Sequence, residues 1–582
     1  MSSHRTALSL LAPMVFVACG GTVTPATTED GGLDSTAPDT AVDGAVPDGT
    51  TPDVAPDTSV PPPDVPVTPT NKVDVLFVVD NSFSMADKQR ILAKRIPAML
   101  HALTTPGADG KRADDVHVAL ISSSLGSYGT SVCAPALSTK AADDRAHLLP
   151  RDTISGGVGY RLDSTGAPAT TSCPVIAPGS TLTWTSDPTK GGKYSGDAGG
   201  DLALAASCTM AAVDQNGCGY EQPLEAAYRF LSDPAPSSTA AVKCTFGASG
   251  DACGNNDILV GGVDTDLLAQ RAAFLRPDSA VVVVYITDEN DVSLRPAGKN
   301  WLPFSYGAGA MMRGWEACAG IPDDVEPDSS GELAAKGCFS CFQDNKNPAC
   351  TTPWAKDKLN NDPDGRNLRG FHMVQRYGFN FLWSRDRYVN GFTATTIPGS
   401  DGKLGPNALF ASGLRSKDMV FVTGIVGVPT QLVADATGKP RALGLTDWNK
   451  IAGPIALRDP HMIESIGPRP GLGKFVGDRA IDPIHGGDRD VFDGDDLQYA
   501  CISPRETGSL GSLDCESLGT DAAKKNPLCD SSSKQSYYKA YPSLRALRVL
   551  RDLGTQSTVG SICSDLAGPL TATVEKVRTV LK

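Results

Sequence analysis

The residues best placed to do chemistry lie in VDVLFVVDNSFSM, Val73 to Met85. An apolar run ends at Asp80, and hydroxyls follow at Ser82 and Ser84, every second place. A second apolar run, VVVVYITD, also ends in an acid, Asp288. If both runs are parallel strands of one sheet, the two acids emerge on the same rim, where open α/β sheets bind their ligands. Carboxylates mixed with neutral hydroxyls are hard oxygen donors of low charge. That set suits Mg²⁺ or Mn²⁺, octahedral and keeping some waters, and nothing soft enough for copper or zinc shares the stretch.

Other candidates are weaker. The run Glu289, Asn290, Asp291 and Ser293 reads either as a solvated loop or as a Ca²⁺ site beside the first metal. Between Asp488 and Asp496, Phe492 and Asp493 occupy the fifth and sixth places, where an EF-hand needs an oxygen ligand and a glycine. An exposed acidic turn or an irregular calcium loop remains. The seven His are scattered, with no H-E-x-x-H, and no G-x-S-x-G elbow precedes a helix. Gly467–Lys474 has the wrong glycine spacing for a phosphate loop, and Phe475 follows its lysine. Hydrolysis would then need a metal-activated water, with His372, His461 or His485 carried to it by an insertion.

The elements that must position these groups alternate. Strand-like runs are Val73–Val79, Val116–Ser122, Ala280–Thr287, Met419–Val426 and Thr558–Cys563, mostly apolar on both faces, as buried parallel strands are. Helical patterns cover Ala86–Leu103, Pro223–Leu231, Asp264–Leu275, Tyr541–Leu553 and Leu570–Leu581. The expected fold is α/β, a doubly wound and mostly parallel sheet. Long Gly- and Cys-bearing stretches at about 126–207, 300–415 and 430–540 read as disulfide-stapled insertions into one domain, 71–582.

Asp80-Asn81-Ser82-Phe83-Ser84 after the first strand resembles the D-x-S-x-S signature of the von Willebrand factor type A (VWA) family. Asp288 matches the acid at the end of that family's fourth strand. The resemblance implies a metal-ion-dependent adhesion site (MIDAS), whose Ser hydroxyls bind the metal and whose acids bind directly or through water. A carboxylate of the bound partner often completes such a site. The family's Thr from a second loop is missing from Gly217–Ala226; Glu221 either replaces it as a ligand or favours the dipole of a first helical turn. Phe83 stands where Gly is usual. FLRPDSAVVVVYITDEND, GDDLQYACI and YPSLRALRVLRDLG also resemble a broader group of exported bacterial lipoproteins carrying this domain, a likeness that brings no activity with it.

The first residues give a location. Arg5 and an apolar run from Ala7 to Ala18 read as a secretory signal, too short to span a membrane. Phe16-Val17-Ala18-Cys19 resembles a bacterial lipobox, implying lipidation at Cys19, with an ordinary cleaved signal as the alternative. Gly20 after it implies, by the same resemblance, the outer membrane. Residues 20–70 carry nine acids and no Lys or Arg, and their Pro/Asp/Thr-rich composition predicts a disordered stalk. Setting Cys19 aside from the 15 Cys leaves an even number, as a disulfide framework in an oxidising compartment requires. Cys338-x-x-Cys341 therefore reads as two structural cysteines rather than a zinc or redox pair. A net charge of −14 argues against nucleic acid. The expected function is an envelope-anchored binding module that uses its metal to capture an acidic group of a protein or polysaccharide. An extracellular metal-dependent hydrolase and a scaffold with a vestigial site are the alternatives.

Overall fold

The run KVDVLFVV is the centre of the molecule because, past the half-exposed Lys72, nothing in it except Asp74 needs water. It forms strand β1 (Lys72–Val79), buried on both faces from Val73 onward. Each large apolar side chain so buried contributes roughly 1.5–3 kcal/mol. The computed structural model describes residues 65–582 except 131, 134–142, 150–178, 188, 190–199, 212, 214–216, 248–249, 254–255, 305–313, 322–329, 342–345, 352–363, 492–495, 506–514 and 516–523. Cys19, the signal stretch, residues 20–64 of the stalk, Phe492 and Asp493 lie outside the described residues.

Five more strands complete the sheet: β2 (Asp115–Ser122), β3 (Leu182–Thr185), β4 (Ala280–Ile286), β5 (Val420–Val426) and β6 (Ser557–Ser561). Their spatial order is β6-β5-β4-β1-β2-β3. Val75 is level with Val118 of β2 and Val282 of β4, both parallel to β1. Only β3 runs antiparallel, on the edge against β2. The five expected strands are therefore present and parallel, with ends shifted by no more than a residue or two.

Alternation along β1 divides the core. Val73, Val75, Phe77 and Val79 point to a layer made by α1 (Ala86–Thr104), α2 (Gly200–Ala211) and α8 (Ala567–Arg578). Leu76 and Val78 point to the other layer. There α3 (Pro223–Leu231), α4 (Thr265–Phe274), α5 (Arg385–Thr393), α6 (Leu445–Ala452) and α7 (Leu544–Asp552) contribute residues such as Phe230, Phe274, Tyr388, Ile451 and Leu547. Asp74, fully buried at the far end of β1, is held by the Arg276 Nε–H at 2.8 Å, the Arg276 backbone N–H at 2.9 Å and the Ser279 hydroxyl. Among the described residues, no helix is long and apolar enough to cross a membrane.

The stretches expected as insertions hold more regular structure than their patterning indicates. The first contains β3 and α2, and α2 is apolar nearly all round, so it carries no amphipathic period to read. A short antiparallel ribbon, Cys501–Pro504 against Tyr537–Ala540, lies within the third. Disulfides staple these regions and the stretch between the first two: Cys133–Cys218, Cys244–Cys253, Cys318–Cys338, Cys341–Cys350, Cys501–Cys563 and Cys515–Cys529. Cys338 and Cys341 bond to different partners, so they form neither a redox pair nor a zinc knuckle.

Candidate metal centre

Strands β1 and β4 are neighbours although β2 and β3 lie between them in the chain, so the winding of the sheet reverses there. In doubly wound sheets that reversal opens a crevice at the carboxyl ends of the strands. Asp80 leaves β1 into this crevice, its N–H donating to Ile286 O at 2.9 Å, and Asp288 leaves β4 beside it. One Asp80 oxygen accepts the Ser82 N–H at 2.7 Å, a local turn that starts the loop. The other accepts the Thr287 hydroxyl at 2.8 Å. The chain then enters a single 3₁₀ turn, Phe83–Met85, and α1. Ser84 Oγ lies 2.8 and 3.0 Å from the two Asp288 oxygens and 3.5 Å from Ser82 Oγ. Asp80, Ser82, Ser84 and Asp288 are thus brought together, from positions 204 residues apart for the last pair.

The loop before α3 closes the crevice. Gly217 donates its N–H to Asn81 O at 2.8 Å, and a Cβ there would come within 2.3 Å of Asn81 Oδ1, so only glycine fits. Cys218 N–H meets Ser124 Oγ at 2.8 Å, and the Cys133–Cys218 disulfide fastens the same point. Glu221 follows, buried and ahead of the Gln222 N-cap of α3. It therefore precedes the first helical turn, and the acid of that turn is Glu225.

Two residues of the centre, Lys88 and Thr287, were not drawn from the sequence, and Glu289 was expected in a solvated loop or at a Ca²⁺ site. Lys88, 1% exposed, extends Nζ to Asp288 at 2.6 Å and to Ser84 O at 2.9 Å. Its signal was its spacing, because residues four apart on a helix share a face and Lys88 follows Ser84 by four. Thr287 supplies the hydroxyl on Asp80. Glu289 turns inward, with Lys539 Nζ 3.8 Å from its carboxylate.

Electrostatics follow from this crowding. Burial, then the neighbouring Asp288 charge, pushes Asp80 up to about 6. Burial lifts Glu289 to about 8 despite Lys539, and lifts Glu221 well above the usual carboxylate range with help from Glu289 and Asp80. Asp288 goes the other way: burial opposes its charge, but Lys88, Lys539 and the Ser84 hydroxyl outweigh that. Four carboxyl groups thus face two ammonium groups, and without a cation the excess is relieved by protonation of Glu221 and Glu289. One divalent cation would offset two further ionised carboxylates, and the hydroxyls and carboxylates fit a hard one.

No family model, curated protein or solved structure matches this chain.

Two sequence expectations around the centre differ from what is observed. Asp291 and Ser293 are buried rather than solvated. Asp291 accepts the Leu224 N–H at the start of α3 at 3.1 Å, the Ser293 hydroxyl at 2.7 Å and Arg545 at 3.3 Å, which makes it a cap and an ion-pair partner. Among the described acids from Asp488 to Asp496, only Asp490 is exposed. Asp488 is buried with Arg469 and His485, while Asp496 accepts from Tyr541 and Asn367 at 2.8 and 3.0 Å. His372 hydrogen-bonds Asp364, and His461 and His485 pair with aspartates of their own loop.

Proposed function

We propose that this chain is an envelope-tethered binding module of the von Willebrand factor A type, whose divalent cation captures a carboxylate of a protein or polysaccharide. The carrying observation is the convergence of Asp80, Ser82, Ser84 and Asp288 at the reversal of the sheet, in a pocket where four carboxyl groups face two ammonium groups. The family resemblance asks for its signature after the first strand and its distant acid after the fourth. β1 and β4 are the first and fourth strands of this sheet. Ser82 and Ser84 would hold Mg²⁺ or Mn²⁺ through their hydroxyls, Asp80 and Asp288 directly or through water, and Glu221 from the loop that lacks the family's Thr. When bound, the ion supplies an open position for a partner's carboxylate oxygen. Phe83, 50% exposed beside the site, offers that partner an apolar contact. Every described cysteine is in a disulfide, which supports the exported location that Cys19 would anchor.

The test is thermal unfolding of the oxidised protein after chelation, with and without Mg²⁺, Mn²⁺ or Ca²⁺, for wild type and Ser84→Ala. At ~100 times its dissociation constant, the right ion stabilises wild type by roughly 2.7 kcal/mol. Ser84→Ala loses that gain, and wild type alone is retained on a polygalacturonate resin and released by chelator. Coincident unfolding curves in all ions would refute the metal centre. Retention indifferent to chelator would refute capture through it.

A further inference from the structure

A second constellation lies in the loops after α6, outside the centre described above. His461 Nε2 is 2.9 Å and His485 Nδ1 3.2 Å from the same oxygen of Asp482. Among the described residues, only these three bring three His, Cys, Asp or Glu ligand atoms within 4.8 Å of one another. We infer that His461, Asp482 and His485 form a zinc site that clips these loops together.

The orientation of each ligand supports this. Asp482 Oδ1 is used by backbone, accepting the Ile484 N–H at 2.9 Å and the His485 N–H at 3.3 Å, which leaves Oδ2 facing the imidazoles. The other nitrogen of each ring is held by a carboxylate: His461 Nδ1 by Asp459 at 2.7 Å, His485 Nε2 by Asp488 at 2.9 Å. Metal-bound histidines are oriented by carboxylates in this way. Asp488 is fixed in turn by Arg469, at 2.8 and 3.1 Å. The return that carries Asp488 back to the ring needs glycine at 487, where φ is +105° and a Cβ would meet the Phe475 backbone at 2.8 Å.

One atom lacks what a protein-only network would provide. His485 is fully buried, yet its Nδ1 makes no hydrogen bond, because Asp482 sits near it but off the bonding direction. A buried imidazole nitrogen left without a hydrogen bond beside a carboxylate and a second imidazole nitrogen would be satisfied by a metal between them. Charge agrees: with both rings neutral, a divalent ion and Arg469 balance Asp459, Asp482 and Asp488. Two nitrogens and one oxygen select Zn²⁺ over Mg²⁺, with water as a fourth ligand. The described thiols are all in disulfides and do not compete. The three ligands come from irregular loops or single 3₁₀ turns around 459–488, which have few ladder bonds of their own. That is where a clip adds order.

Metal-free oxidised protein is titrated with Co²⁺ and then Zn²⁺. Wild type develops one equivalent of visible Co²⁺ absorption that Zn²⁺ bleaches. Asp459→Asn weakens Zn²⁺ by about tenfold or more, His461→Gln abolishes the absorption, and Ser84→Ala leaves it unchanged. Absence of the Co²⁺ band in wild type overturns the proposal without reference to any variant. So does its survival in His461→Gln, or its loss in Ser84→Ala.

Discussion

At the scale of single residues, Lys88 is the most consequential side chain beside the motif itself. It is a buried ammonium on Asp288, 2.6 Å away, in a pocket whose acids already outnumber its cations. A buried pair adds little net stability, but breaking one strands a charge. In Lys88→Met one of the two ammonium groups facing the four carboxyls is lost, and Asp288 is left without its nearest cation. In chelator the variant should lose about 3–5 kcal/mol in urea unfolding. Mg²⁺ should recover much of that loss, with an affinity above that of wild type. A variant as stable as wild type in chelator would mean that Lys88 does not hold Asp288.

At the scale of elements, the ribbon Cys501–Pro504/Tyr537–Ala540 reaches the centre from the third insertion. It carries Lys539 to Glu289, and just beyond it the Tyr541 N–H donates to Asp288 O at 2.7 Å. The Cys501–Cys563 disulfide ties this ribbon to the chain just past β6, across 62 residues. Closing a loop of that length restrains the unfolded chain by about 4 kcal/mol. The double variant Cys501→Ala/Cys563→Ala should therefore lose about that much in denaturant unfolding. It should also bind Mg²⁺ differently, because the Lys539 charge is no longer pinned over Glu289. Unchanged stability would show that the ribbon is held by packing alone.

At the scale of the whole molecule, stability depends on pH through pairs that join layers. His147, after β2, meets Asp264 at 3.1 Å, and Asp264 also takes Arg229 of α3 at 2.7 Å and caps α4 at Leu267. The hydrogen bond that His147 donates to Asp264 raises it above its ordinary 6.5, against partial burial. Asp264 is held down to about 2, burial being outweighed by His147, the Leu267 N–H and Arg229. The raised histidine stabilises fully below 6.5, and that gain fades as pH rises through its folded value. The depressed acid stabilises above its ordinary 3.8 and is lost as pH falls toward 2. Unfolding midpoints should thus drop as pH rises above about 6.5, and His147→Gln should flatten that drop. An equal drop in the variant would assign it to other groups. The effect is modest, since the His147 side chain is 30% exposed and screened by solvent.

Five of the six strands of the sheet were legible in the sequence because buried parallel strands need continuous apolar runs, and VDVLFVV and VVVVYI have no other use; β3, α2, α5 and α6 were not. Local chemistry was legible for the same reason: an acid that ends such a run must emerge at the rim, and Asp80 and Asp288 do. The partners of those acids were not legible. Lys88, Glu289 and Lys539 are ordinary polar residues in the chain, and only packing buries them and turns them toward one another. No local pattern pairs Asp74 of β1 with Arg276, 202 residues on. The pairing of His461, Asp482 and His485 needed loops without periodicity to fold back, so no pattern announced it. Periodicity records which side of an element meets the core, and charge neutralisation across distant segments is decided only when the tertiary structure brings them into contact.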